Sequence, residues 1–172
     1  MRKTALALVC LLSSLSFATE ARADGFLGFD ALYLDARGHV WFDSNVRDAA
    51  GYPVGATAEI QLDLVHQLEL YGYTGFLYGL AGDVTTFHIP FMGGVLYNFG
   101  QGSKGVTVGG GFGALISYAD VGTDTTNFDA GLEFHGGYQT SSLRFRAGLQ
   151  FFQVDELSDS ATAFVSVGFN LK

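Results

Sequence analysis

Residues 128–151 alternate between apolar and polar side chains over two long runs, and no other feature of the sequence constrains the fold as strongly. The apolar positions are Phe128, Ala130, Leu132, Phe134, Gly136 and Tyr138 in the first run, and Leu143, Phe145, Ala147, Leu149 and Phe151 in the second. The positions between them carry charged side chains, amides and glycines. Because successive side chains of a strand point to opposite faces of its sheet, the two runs predict a hairpin with one apolar and one polar face.

A period of two recurs along the rest of the chain and, with its many aromatic residues, predicts an all-β fold. We predict eight strands, at 26–35, 57–70, 75–82, 87–99, 106–118, 128–139, 143–151 and 163–172. Alternation is poorest in the first of them, residues 36–56 are interpreted as a long loop, and a tight connection is predicted at 72–74. Pro90 lies inside the fourth strand and cannot donate to the ladder, so we expect a bulge or an unpaired position there.

The first 23 residues have the composition of a secretory signal peptide. Two basic residues follow Met1, an apolar run covers 4–18, and the small residues Ala21 and Ala23 predict cleavage after Ala23. The apolar run is too short to span a membrane as a helix. It contains Cys10, the only cysteine, so we reject a lipoprotein and expect no disulfide or thiolate chemistry in the mature chain.

The mature chain, residues 24–172, has the length of one domain and a strongly acidic balance. It carries six basic against sixteen acidic residues, a net charge of −10. This charge argues against nucleic acid as a partner, because affinity for nucleic acid depends on neutralised phosphates. The mature chain has no run of eighteen apolar residues, so no transmembrane helix is predicted.

Amphipathic strands repeated behind an export signal predict an eight-stranded antiparallel up-and-down transmembrane β-barrel, with lipid outside and a polar lumen inside. With both chain ends in the periplasm, the external loops are 36–56, 83–86, 119–127 and 155–162. Eight strands leave a lumen that side chains nearly fill. The alternative is a secreted lipocalin-like barrel that binds an apolar ligand, in which the apolar rows would point inward and the protein would be soluble without detergent.

The sequence resembles the small outer-membrane β-barrel proteins of Gram-negative bacteria, the OmpA-like, OmpX-like and OmpW-like group. The resemblance rests on Ile89-Pro-Phe, Val95-Leu-Tyr-Asn-Phe, Val106-Thr-Val-Gly-Gly-Gly-Phe-Gly-Ala, the run 143–151 and the closing Val167-Gly-Phe-Asn-Leu-Lys. It covers residues 85–172 better than 24–84. It implies an integral protein of the cell outer membrane, with membrane lipid and the barrel insertion machinery as partners, and it carries over no catalytic residues.

Charged side chains on the predicted polar faces form the candidate site. Glu133 and His135 are expected to face Arg144 and Arg146 across one short turn, within cross-strand reach. The whole predicted lumen charge network is Glu59, Asp63, Glu69, Glu133, His135, Arg144 and Arg146. Two interpretations remain open: a salt-bridge network that fills a narrow barrel, and an acid/His site or ring of charges along an ion path.

Enzymatic and metal-dependent functions have little support in the sequence. The four histidines (His39, His66, His88 and His135) lack metal-ligand spacing, and no Gly-x-Ser-x-Gly motif is present. The glycine run 109–113 continues as a strand, unlike a phosphate-binding loop. We therefore predict a monomeric, non-enzymatic barrel without cofactor or metal. It would have a structural or adhesive role through its loops, or act as a narrow porin-like channel. An outer-membrane lipid hydrolase that uses His66 is the remaining alternative, and any partner of the external loops is unidentified.

Overall fold

Eight antiparallel strands and one short helix make up the part of the chain that the structure describes. The computed structural model describes residues 30–65, 67–81, 84–100, 104–120, 124–154 and 157–172. The strands are β1 (Ala31–Trp41), β2 (Val54–Val65), β3 (Leu68–Ala81), β4 (Val84–Asn98), β5 (Gly105–Asp120), β6 (Asp124–Gln139), β7 (Leu143–Phe151) and β8 (Ala161–Asn170). Helix α1 (Ser44–Ala50) lies between β1 and β2. The predicted signal peptide, residues 26–29 of the first predicted strand and His66 lie outside the described residues.

Each strand pairs with its neighbours in sequence, and β8 pairs with β1 to close the sheet. This confirms the predicted up-and-down barrel. Pairings followed once round the barrel from Ala31 return to β1 at Trp41, ten residues further along. Such a stagger requires strands tilted by roughly 35–45°. No helix in the described part of the chain is long and apolar enough to cross a membrane, a finding that concerns helices alone.

The outer face of the barrel is apolar on all sides. Phe112, Phe128 and Val165 are 73%, 74% and 65% exposed, and most outward positions of the strands carry aromatic or aliphatic side chains, with glycines and threonines at the others. Among strand residues whose exposure the structure describes, no outward-facing position carries a charge. A soluble protein rarely exposes so large an apolar surface. The apolar rows point outward as predicted, which contradicts the lipocalin-like alternative with its apolar interior.

The first half of the chain differs most from the prediction. β1 continues to Trp41, so the loop predicted at 36–56 is reduced to residues 42–53. The outward residues Ala36 and Gly38 are small, so the alternation of apolar and polar side chains is not apparent in this part of the sequence. Within the connection, Asp43 caps α1 by accepting hydrogen bonds from the backbone N–H groups of Asn45 (2.7 Å) and Val46 (3.1 Å). Gly51 ends the helix with φ 71°, a conformation that favours glycine.

The strand predicted at 57–70 is two strands. β2 ends at Val65 and β3 begins at Leu68, so that Leu62 pairs with Leu70, and residues 72–74, predicted as a connection, lie inside β3. Only two residues connect β2 and β3, so the outward leucines have even numbers in both strands. The alternation therefore continues through the turn and resembles that of one long strand. The expectation for Pro90 is confirmed: β3–β4 pairing passes from Thr74↔Phe91 directly to Leu77↔His88, which leaves residues 89 and 90 unpaired on that side.

Gly111 tests whether inward glycines provide room for large lumen side chains. A Cβ there would lie 2.5 Å from the Tyr71 hydroxyl and 2.7 Å from the Gly93 carbonyl oxygen. We expect Gly111→Ala to lower the free energy of unfolding by about 1–3 kcal/mol. Outward Gly136 is the control, because a Cβ there meets nothing closer than 3.6 Å. Urea unfolding in lipid vesicles measures both, and equal effects of the two substitutions would contradict this interpretation of the glycines.

Candidate functional site: the charged lumen

Glu59, on β2, is the centre of the first ion cluster inside the barrel. Its carboxylate accepts hydrogen bonds from Arg144 Nη1 (2.5 Å to Oε1) and from Arg146 Nη1 (2.6 Å to Oε2) and Nη2 (3.0 Å to Oε1). Arg144 also donates to both carboxylate oxygens of Asp35, with Nε 2.8 Å from Oδ1. All four side chains are buried. We call this set the Glu59 cluster, and it joins β1, β2 and β7 across the lumen.

Glu133, on β6, is the centre of the second ion cluster and is 0% exposed. Oε2 accepts hydrogen bonds from Arg37 Nη2 at 2.5 Å and from the Tyr73 hydroxyl at 2.6 Å, while Oε1 lies 2.9 Å from His135 Nδ1. These residues come from β1, β3 and β6. The Glu133 cluster therefore ties the opposite wall of the barrel to β1.

Aromatic rings hold each lumen arginine against the barrel wall. The Arg37 guanidinium carbon lies 3.8 Å from the centroid of the Phe164 ring, and that of Arg144 lies 4.1 Å from Tyr33. Arg146 lies 5.7 Å from the Tyr71 ring. A planar guanidinium can stack on a ring and still donate hydrogen bonds at its edge, which a lysine cannot do as well. The clusters are thus packed as well as ion-paired.

The register of β6 and β7 agrees with the predicted proximity across their turn for His135 and Arg146 only. Arg144 lies opposite Gln139 and Arg146 opposite Gly137, whereas His135 lies opposite Gly148 and Glu133 opposite Gln150. His135 is therefore diagonal to Arg146, whereas Glu133 and the two arginines are several residues apart along the hairpin. They find partners across the lumen instead, because an eight-stranded barrel is narrow enough for long side chains to meet in its middle.

The structure brings together five of the seven predicted site residues: Glu59, Glu133, His135, Arg144 and Arg146. Glu69 is buried near the end of the lumen where β3 begins, and Asp63 is exposed in β2. Sequence reasoning missed Asp35, Arg37 and Tyr73. The alternation Asp35-x-Arg37-x-His39 is the signal that could have found two of them, had β1 not been ended at Asp35.

An apolar cluster closes the other end of the lumen. It consists of Trp41, Leu77, Leu115 and Phe152, against which Val46 and Ala50 of α1 pack, and we call it the apolar plug. Trp41 ends β1 and Phe152 follows β7, so the plug lies beside connections 42–53 and 152–160. The rings of His39 and His88 pack on Phe152, with centroids 5.6 and 4.9 Å away.

The arrangement neutralises charge inside the barrel more than it presents charge to a ligand. Glu59, Glu133 and Asp35 are each paired with an arginine, so none is available as a free carboxylate. In the described residues no group of three or more His, Cys, Asp or Glu side chains is placed to hold a metal ion. The geometry therefore favours the interpretation of a salt-bridge network that fills the lumen.

No protein-family model and no characterised protein matches the sequence. The fold is similar to those of Neisserial surface protein A (TM-score 0.54, 17% identity, 86% of this chain and 98% of that chain) and of the N-terminal β-barrel domain of Pseudomonas aeruginosa OprF (0.53, 17%, 83% and 98%). It is also similar to Ail, the attachment invasion locus protein of Yersinia pestis (0.52, 12%, 81% and 96%). All three are small eight-stranded outer-membrane barrels of Gram-negative bacteria, which confirms the predicted resemblance at the level of the fold.

Glu59→Gln tests whether the ion pairs support the barrel. The amide keeps the shape of the side chain but leaves two buried guanidiniums without their shared carboxylate. Removal of one partner of a buried ion pair costs about 3–5 kcal/mol, so we expect a loss of that size in the free energy of unfolding. Asp48→Asn, at an exposed carboxylate of α1, should change it by no more than about 0.5 kcal/mol. A small effect of Glu59→Gln in urea unfolding would mean that the pairs are energetically neutral.

Asp43→Ala tests how firmly α1 covers the plug. Loss of this N-cap costs about 1 kcal/mol, so the fraction of open helix should rise about fivefold. Arg47, inside α1, is the only trypsin site in 42–53. The rate of trypsin cleavage at Arg47 therefore measures opening, with Asn45→Ala, at an exposed residue of α1 away from the cleaved bond, as the control. Equal rates in both variants and the parent would show that the plug, and not the cap, holds the helix.

Proposed function

We propose that the mature protein is an integral barrel of the Gram-negative outer membrane that does not conduct solutes and acts through the surface of its external rim. The apolar outer face supports the membrane location, because lipid is the solvent that such a surface requires. The similar folds of outer-membrane proteins support it as well. The filled lumen is the observation that carries the non-conducting role.

Conduction would require two obstacles to be removed at once. The Glu59 and Glu133 clusters cross the lumen in its middle, and the apolar plug lies between them and the rim that carries α1. Separation of one buried ion pair alone costs about 3–5 kcal/mol. The filled lumen therefore supports a narrow channel less well than a closed barrel that acts through its external rim.

The external rim is acidic. Bacterial barrels have short periplasmic turns and longer external loops, which assigns 42–53, 82–83, 121–123 and 152–160 to the outside. These connections carry six acidic residues and one basic residue, Arg47. Ail has been solved in complex with sucrose octasulfate, a heparin analogue. The rim charge of the present chain opposes a sulfated partner, so an adhesive role here would use a neutral or cationic one.

A non-enzymatic role fits the positions of the ionisable groups. A lipid hydrolase needs a nucleophile and a histidine at the lipid-facing edge. Of the histidines in the described residues, His39, His88 and His135 are all buried on inward-facing positions. Their neighbours in the lumen are aromatic rings, hydroxyls and the Glu133 carboxylate, which serve packing and charge balance.

Fractionation tests the membrane location, and planar bilayers test the closed lumen. We expect the mature protein in the detergent-extracted envelope fraction, to migrate differently on SDS gels before and after heating, and to give no conductance steps. A larger open porin barrel in the same bilayers is the control for the sensitivity of the assay. A soluble periplasmic protein would refute the location. Steady conductance of the parent protein would refute the closed lumen and favour the narrow channel.

A further inference from the structure

Glu69 is the buried acid that the ion clusters leave over. In the described part of the lumen, Asp35 and Glu59 are matched by Arg144 and Arg146, and Glu133 is matched by Arg37. Glu69 is 3% exposed, and no ion pair joins it to an arginine of the described residues. The side chains of Asn98 and Gln139 hydrogen-bond this carboxylate. Hydrogen bonds alone do not balance its charge, and a buried carboxylate without a paired cation is costly unless it holds a proton or binds a cation.

The side chains around Glu69 present further oxygen atoms that lack partners. The buried oxygen atoms without a hydrogen-bond partner in the described residues include Glu69 Oε2, Gln61 Oε1, Thr107 Oγ1 and Gln139 Oε1. Their residues are at most 3% exposed. Buried polar atoms of folded proteins nearly always have a hydrogen-bond partner, so these oxygen atoms are available to bound water or to an ion.

The register places these atoms at one level of the lumen. Glu69 is the second residue of β3, Thr107 the third of β5 and Gln139 the last of β6, so all three lie next to the short turns. Gln61 lies further from its turn, but the tilt of the barrel brings β2 to the same height, where Gln61 pairs with Tyr71, two residues after Glu69. Inward side chains of four strands, β2, β3, β5 and β6, therefore lie at the level of Glu69.

A second acid lies directly opposite Glu69. Asp63 pairs with it in the β2–β3 ladder and is on the same face of the sheet, but it is exposed. Like charges directly opposite each other are destabilising, so the pairing is unfavourable unless a positive charge lies close by. Asp63 also connects the buried acid with water at the end of the lumen that is remote from the apolar plug.

We propose that a monovalent cation, Na⁺ or K⁺, binds inside the lumen between Glu69, Gln61, Thr107 and Gln139. The donors are all oxygen atoms, which suit hard cations and exclude ions that prefer nitrogen or sulfur. One buried carboxylate balances one positive charge, whereas Ca²⁺ sites gather more ligands and usually more carboxylates. The ion enters past Asp63 from the end of the short turns, and it completes the charge balance that the three arginines leave unfinished.

The test compares cations at equal ionic strength, so that screening of surface charges is the same in every sample. The mature barrel in non-ionic detergent is heated in the chloride salts of sodium, potassium and N-methylglucamine, whose cation is too large for the lumen. Circular dichroism reports the unfolding midpoint, and the sodium NMR line width reports binding directly. We expect a higher midpoint in Na⁺ or K⁺ than in N-methylglucamine, and a broadened sodium line that competing K⁺ narrows.

Glu69→Gln should remove both effects while the barrel still forms, because it deletes the buried charge and keeps the shape. Thr107→Val, which removes one neutral ligand, should raise the Na⁺ concentration at half effect several-fold, and it serves as a second variant if Glu69→Gln does not fold. Asp48→Asn, in the external rim, is the control and should behave as the parent. Identical midpoints of the parent in all three salts would overturn the proposal in favour of a protonated Glu69. Ion dependence that survives Glu69→Gln would overturn it too.

Discussion

Closure of the sheet between β1 and β8 is the constraint on which the rest of this structure depends. In lipid, a free strand edge would expose backbone N–H and C=O groups that nothing can satisfy, so a membrane sheet must close on itself. The nine pairings from Tyr33↔Asn170 to Trp41↔Thr162 provide that closure. They also fix the stagger of the barrel, and the stagger decides which inward side chains of distant strands share a level.

The ion clusters follow from that stagger. Arg144 meets Asp35 because β7, β8 and β1 are adjacent, but it reaches Glu59 on β2 only because the lumen is narrow. Inward glycines on the β5 side, such as Gly109 and Gly111, leave room for His135 and Tyr71. Large side chains on one wall and glycines on the other thus fill the same cross-section. The lumen is packed by complementary volumes as much as by charge.

Sequence reasoning reached the fold and the faces of the strands but not the partners within the lumen. The period of two identifies which residues point inward, as it did for Glu59 and Arg146. It contains no information on the stagger of the strands, so the partners of Arg144 and Arg146 were sought within their own hairpin. The prediction ended the first strand at Asp35, and this error had a larger effect. It placed Arg37, the partner of Glu133, in a loop instead of on a lumen-facing strand position. Helix α1 was missed because its seven residues are too few to show a helical period.

Ion pairs in the lumen help to fix the register of the strands, which an apolar lumen would not do. A chain with apolar residues on both faces of its strands could slip by one residue at little cost, since either face would suit lipid. With arginines and glutamates inside, a slip of one residue turns every charge toward lipid. Each arginine at the middle of the bilayer would cost about 2–4 kcal/mol. The three lumen arginines therefore penalise a slipped register by several kcal/mol, so the network specifies the barrel even where its net contribution to stability is small.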